Sequence, residues 1–100
     1  MVGKIIVGKK WDKGATYIGR GSALGNPFVI GTHGNRDEVC DKYEEYLKDM
    51  VQRRDPRVMA ELSSIKQHYL NGETVILGCY CAPERCHGLT IKRYIELGKI

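Results

Sequence analysis

No stretch of the chain approaches the roughly 20 consecutive apolar residues that span a bilayer. The opening Met-Val-Gly-Lys-Ile-Ile-Val-Gly-Lys-Lys is a short apolar stretch without a signal-peptide cleavage pattern. Neither a membrane protein nor a secreted one is expected, and the location read from the sequence is cytoplasmic. A concentrated basic block is also missing. Sixteen basic residues against twelve acidic give a formal charge of +4, but they are spread along the chain with only Lys9-Lys10 and Arg53-Arg54 as doublets. Such a charge favours anionic partners by a modest long-range attraction without requiring nucleic acid. The single tryptophan, Trp11, lies beside Lys9 and Lys10, which is thin support for base stacking. Internal repeats, low-complexity segments and linkers are absent.

What is present is the composition of an ordinary globular domain, with 42% hydrophobic and 28% charged residues. A chain of 100 residues buries only about two thirds of its unfolded surface, so one domain over residues 1–100 and one site are expected. Three of the four cysteines fall within eight residues. Without a secretory signal that density points to reduced thiols or a metal rather than to a disulfide framework.

Lys4 to Lys10 is β-branched and ends at the turn-forming Asp12 to Gly14, the pattern of a strand and turn. Thr16-Tyr17-Ile18 is a second, very short strand candidate. Asn35 with Glu38 three residues on forms a capping box, and Val39, Tyr43, Tyr46, Leu47 and Met50 then recur at helical spacing, predicting a helix from about Arg36 to Gln52. Asp55-Pro56 starts a second helix, with Val58, Leu62, Ile65 and Tyr69 on one face and Asn71-Gly72 as its stop. Thr74 to Cys81 is apolar on both alternating faces, which predicts a central strand covered by helices on both sides. From His87 a last helix turns Ile91, Tyr94 and Ile95 inward and ends at Gly98.

Two irregular segments interrupt this β, β, α, α, β, α order. The first, Gly19-Arg20-Gly21-Ser22-Ala23-Leu24-Gly25-Asn26-Pro27-Phe28, is a shaped loop in a connection that is long for so small a domain. It fails as a dinucleotide fingerprint, because Leu24 stands where the third glycine belongs and no clear helix opens there. Within it Asn26, held extended by Pro27, offers an amide to a polar ligand edge, and Phe28 either stacks on a base or fills the core. The second, Cys79-Tyr80-Cys81-Ala82-Pro83-Glu84-Arg85-Cys86-His87-Gly88, runs from a strand end into a helix start, where open α/β sheets bind ligands.

Four chemical readings of the second segment stay open. Three thiols and an imidazole suit structural zinc, but Cys86 and His87 are adjacent and Cys79 and Cys81 are one residue apart, closer than paired ligands usually stand. Neither a metal nor another cofactor is therefore expected. Cys86 at a helix start, beside Arg85 and His87, could be a thiolate nucleophile. The helix start could instead hold an anion on its free N–H groups, with Gly88 keeping the approach open and Arg85, His87 and Arg20 adding donors. The fourth is a purely structural turn. The anion site is the favoured reading. Cys40, on the apolar face of the first helix, is expected in the core, and His33 and His68 on the surface.

Tyr17 to Phe28 combined with Gly78 to Gly88 resembles an uncharacterised family of small phage and bacterial proteins, domain-of-unknown-function family 4326, from about Lys4 to the last helix. The resemblance implies the family and no assigned activity. The family commonly has tryptophan where this chain has Tyr80, and often an acid where this chain has Leu89, so an acid–base or metal role at that position does not operate here.

The expectation is a small Rossmann-like α/β domain with a short, mostly parallel sheet flanked by helices. It would bind a small anionic ligand, foremost a nucleotide or nucleotide derivative, through Arg20, Gly21, Asn26, Pro27, Phe28, Cys81, Arg85, His87 and Gly88. A phage-encoded protein would act in the host cytoplasm and could sequester a nucleotide signal. The alternatives are an enzyme processing a nucleotide or nucleoside through Cys86 and His87, and a nucleic-acid-binding regulator. No membrane partner is expected, and self-association is left open.

Overall fold

The structure, a computed structural model, describes residues 2–9, 11–19, 21–79 and 87–98. Along the chain it places β1 (Lys4–Lys9), β2 (Thr16–Tyr17), α1 (Arg36–Gln52), α2 (Pro56–Leu70), β3 (Thr74–Cys79) and α3 (Gly88–Glu96), the order the sequence predicts. The helix starts form where polar side chains meet unpaired amides. Asn35 Oδ1 accepts from the Glu38 N–H at 2.9 Å while Glu38 Oε1 accepts from the Asn35 N–H at 3.0 Å, the expected capping box of α1. Asp55 Oδ1 accepts from the Arg57 and Val58 N–H groups, both at 3.1 Å, and Pro56, which has no N–H to satisfy, opens α2. Among the described residues no side-chain hydrogen bond caps α3.

The sheet is three-stranded and wholly parallel, in the order β1-β3-β2, with the apolar β3 in the centre as expected. Its register pairs Ile5 with Val75, Ile6 with Ile76 and Val7 with Leu77, while Tyr17 pairs with Gly78. Ile5, Val75 and Leu77 join one buried cluster with Tyr43 and Leu47 of α1, Val58, Leu62 and Ile65 of α2, and Ile91, Tyr94 and Ile95 of α3. All three helices therefore pack on the same sheet face.

This corrects the expectation that helices cover both faces. Alternation along the strands sends Ile6, Ile76 and Tyr17 to the opposite side, where no described helix packs and Ile6 remains 46% exposed. The short connection between β1 and β2 covers only the carboxyl end of that side, near Gly8. Asp12 Oδ2 accepts from the Lys9 N–H at 2.8 Å, and a Cβ on Gly8 would stand 2.5 Å from that same oxygen. Six residues that must cross the central strand leave no room for a helix. Both strand glycines, Gly8 and Gly78, are paired beneath this crossing. The expected continuation of β3 to Tyr80 and Cys81 lies outside the described residues.

Candidate functional site

The two irregular segments meet at the carboxyl end of the sheet. His87, one residue before α3, is 6% exposed and its Nε2 lies 2.6 Å from the backbone oxygen of Ile18, which follows β2. A carbonyl oxygen only accepts, so Nε2 carries the proton and donates. Next to it Gly88 is buried, and a Cβ there would stand 2.9 Å from Ile18 Cδ1 and 3.1 Å from Val7 Cγ1. The glycine lets α3 approach the sheet closely.

The loop leaving Ile18 is built from successive tight turns. The Ser22 N–H donates to Gly19 O at 3.1 Å, Ser22 Oγ donates to the same oxygen at 2.6 Å, and the Gly25 N–H donates to Ser22 O at 3.1 Å. Gly21, at φ +93 with open space where a Cβ would be, occupies a conformation that other residues rarely adopt. Leu24 is 1% exposed and anchors the loop in the core, and its carbonyl accepts from Tyr43 Oη at 2.8 Å. Tyr43 also sets its ring 4.8 Å from that of His87. One buried side chain of α1 thus touches both segments.

Asn26 works within the protein. Its Oδ1 accepts from the Phe28 N–H at 2.9 Å, and its Nδ2 donates to Val39 O in α1 at 3.2 Å. The amide singled out for reading a ligand therefore shapes the loop and ties it down. Pro27 is exposed, and Phe28 is half-buried on the side of α1, edge-on to Tyr46 at 6.4 Å and to His33 at 5.6 Å, with Lys42 Nζ 5.9 Å from its ring centre. His33 and His68 are exposed and Cys40 is buried, as the sequence predicts.

The first turn of α3 holds no acidic residue and, among the described residues, no side-chain hydrogen bond caps it, so the positive pole of the helix lies at this end. A cavity of about 310 Å³ between α1 and α3 has the opposite character, being lined by Glu44, Glu45, Lys48, Val51, Gln52 and Tyr94. Burial, with the neighbouring Glu44 and Glu45 carboxylates, raises the Tyr94 hydroxyl above its usual range, although Arg93 opposes the shift. Arg93 Nη2 pairs with Glu44 Oε1 at 2.8 Å beside it. Among the described residues no three histidine, cysteine or acidic side chains gather as metal ligands do, and no helix is long and apolar enough to cross a membrane.

Of the residues singled out in the sequence, Gly21, Asn26, Pro27 and Phe28 belong to the loop that His87 and Tyr43 hold against α1 and α3, and Gly88 lies beside its root. Arg20, Cys81, Arg85 and Cys86 lie outside the described residues, as do the zinc and nucleophile readings that depend on them. Tyr43 was missed. Its place on the apolar face of α1 reads as core, yet a buried tyrosine hydroxyl needs an acceptor, and that requirement was the available signal.

No curated protein and no solved structure matches the chain. The family described as Domain of unknown function (DUF4326) matches it over residues 6–97, a span that takes in β1 from Ile6 on, both segments that meet beside His87 and Ile18, and all of α3. The chain belongs to this family of proteins sharing DUF4326.

Proposed function

We propose that the chain binds a small anionic ligand, foremost the phosphate of a nucleotide or nucleotide derivative, between the Gly19 to Phe28 loop and the start of α3. The observation that carries this reading is the His87 to Ile18 hydrogen bond, which draws a turn-rich loop against a helix whose first turn holds no acidic residue, at the carboxyl end of a parallel sheet. Ligands of open parallel sheets gather there, and phosphate is the anion such helix starts most often hold. In this restricted sense the domain is read as Rossmann-like.

Roles follow from what each group already does. His87, Tyr43 and Asn26 are positioning residues, because their polar atoms fasten the loop. Gly21 gives a ligand close access to backbone. Arg20 is assigned the bidentate contact to phosphate, with Arg85 as a second cation. Calorimetric titration of the protein with nucleoside mono-, di- and triphosphates tests the proposal. The Arg20→Ala variant should bind about tenfold to a hundredfold more weakly, the loss of about 1.5–3 kcal/mol expected for a charge-assisted hydrogen bond, with its circular dichroism unchanged. Equal affinity in that variant would remove Arg20 as the anchor. Conversion of the nucleotide during the titration would favour an enzyme using Cys86 instead.

A further inference from the structure

The sheet face without helices and the carboxyl end of β1 share a property that residue totals conceal. Residues 1–20 hold five basic side chains, Lys4, Lys9, Lys10, Lys13 and Arg20, against the single acid Asp12. That net +4 equals the formal charge of the whole chain, and the remainder is balanced, eleven basic against eleven acidic. The basic residues are spread out, but the excess is not.

The same segment exposes apolar and aromatic surface. Trp11 is 66% exposed, Ile6 46% and Tyr17 37%. Ile6, Ile76 and Tyr17 share the face that the helices leave open, and Trp11 belongs to the connection that crosses its carboxyl end. Lys9 Nζ lies 5.4 Å from the centre of the Trp11 ring, so cation and aromatic surface are presented together.

We infer that this open sheet face, with Lys4, Ile6 and Tyr17, and the carboxyl end of β1 and the connection after it, with Lys9, Trp11 and Lys13, bind single-stranded nucleic acid at a site independent of the anion site proposed above. Charge decides the occupant. A second copy would bring one basic segment, Lys4, Lys9, Lys10 and Lys13 against the single Asp12, onto another, whereas a phosphate backbone complements it. Tyr17 on this face and the exposed Trp11 in the connection at its end offer stacking to unpaired bases and give a duplex, whose bases are already stacked, much less.

The single tryptophan makes the test direct. Titration of the full chain with twelve-nucleotide oligo(dT) and oligo(rU) in low salt should quench Trp11 fluorescence saturably, and the two arms identify whether DNA or RNA is preferred. Contact with three phosphates predicts that affinity falls about 20-fold between 50 and 200 mM salt. With labelled oligonucleotide, Trp11→Ala should bind about tenfold or more weakly, and the Lys9→Glu, Lys13→Glu double variant should lose both affinity and salt dependence. Saturating inorganic phosphate at constant ionic strength should not displace the oligonucleotide. The inference is overturned by absence of quenching and binding, by equal affinity for duplex, by displacement with phosphate, or by sedimentation showing that self-association occupies the face.

Discussion

His87 Nε2 donates to the carbonyl of Ile18 across 2.6 Å, joining residues 69 apart in sequence inside the core. Removing the imidazole leaves that buried oxygen unpaired and Tyr43 with an empty side. His87→Ala should therefore lower unfolding stability by about 2–4 kcal/mol in urea titrations, combining an unsatisfied acceptor with a cavity. A loss below about 0.5 kcal/mol would mean that the bond contributes little to the fold.

Tyr43→Phe isolates the second tie. It keeps the ring against His87 and deletes only the hydroxyl that donates to Leu24 O. The expected cost is about 1–2 kcal/mol for a buried carbonyl left without its donor. Hydrogen exchange should accelerate in the Ser22 to Phe28 amides and not in β3, whose partners in β1 and β2 are untouched.

Gly88→Ala should be destabilising even though alanine is the better helix former. The added methyl would stand 2.9 Å from Ile18 Cδ1 and 3.1 Å from Val7 Cγ1, so these side chains, or α3 itself, must shift. A cost of about 1–3 kcal/mol is expected by thermal or urea unfolding, in the range of other overpacked cores. A stabilised variant would show that the contact relaxes freely.

Tyr94 sets a limit at alkaline pH. Its folded pKa is raised, first by burial and then by Glu44 and Glu45, above the ordinary 10.0. The native state thus holds the proton more tightly than the unfolded one. The corresponding stabilisation is complete below pH 10 and is lost as pH rises through the folded value. Unfolding free energy should fall above pH 10, and Tyr94→Phe should flatten that fall.

The fold was legible wherever a local signal has a local cause. The Asn35 and Glu38 capping box, the Asp55-Pro56 start of α2 and the apolar central β3 are properties of a few neighbouring residues, and all three are present. The failure at Ile76 has a different origin. Apolar residues on both sides of a strand report that each side is sheltered to some degree, not whether a helix or a six-residue crossing provides the shelter. At the site, glycine and imidazole in the Cys86-His87-Gly88 run read as ligand-facing. Their burial against Ile18, Val7 and Tyr43 depends on contacts between distant segments that no local pattern records.

The central claim, that the loop and the start of α3 form one anion site, is tested most directly by following backbone amide resonances while inorganic phosphate and then a nucleoside monophosphate are added. The account predicts saturable shifts with one common dissociation constant at Gly88, Leu89 and the Gly21 to Asn26 amides, larger than those of β1. Absence of shifts at Gly88 and Leu89, or shifts confined to Lys4 to Lys13, would contradict it.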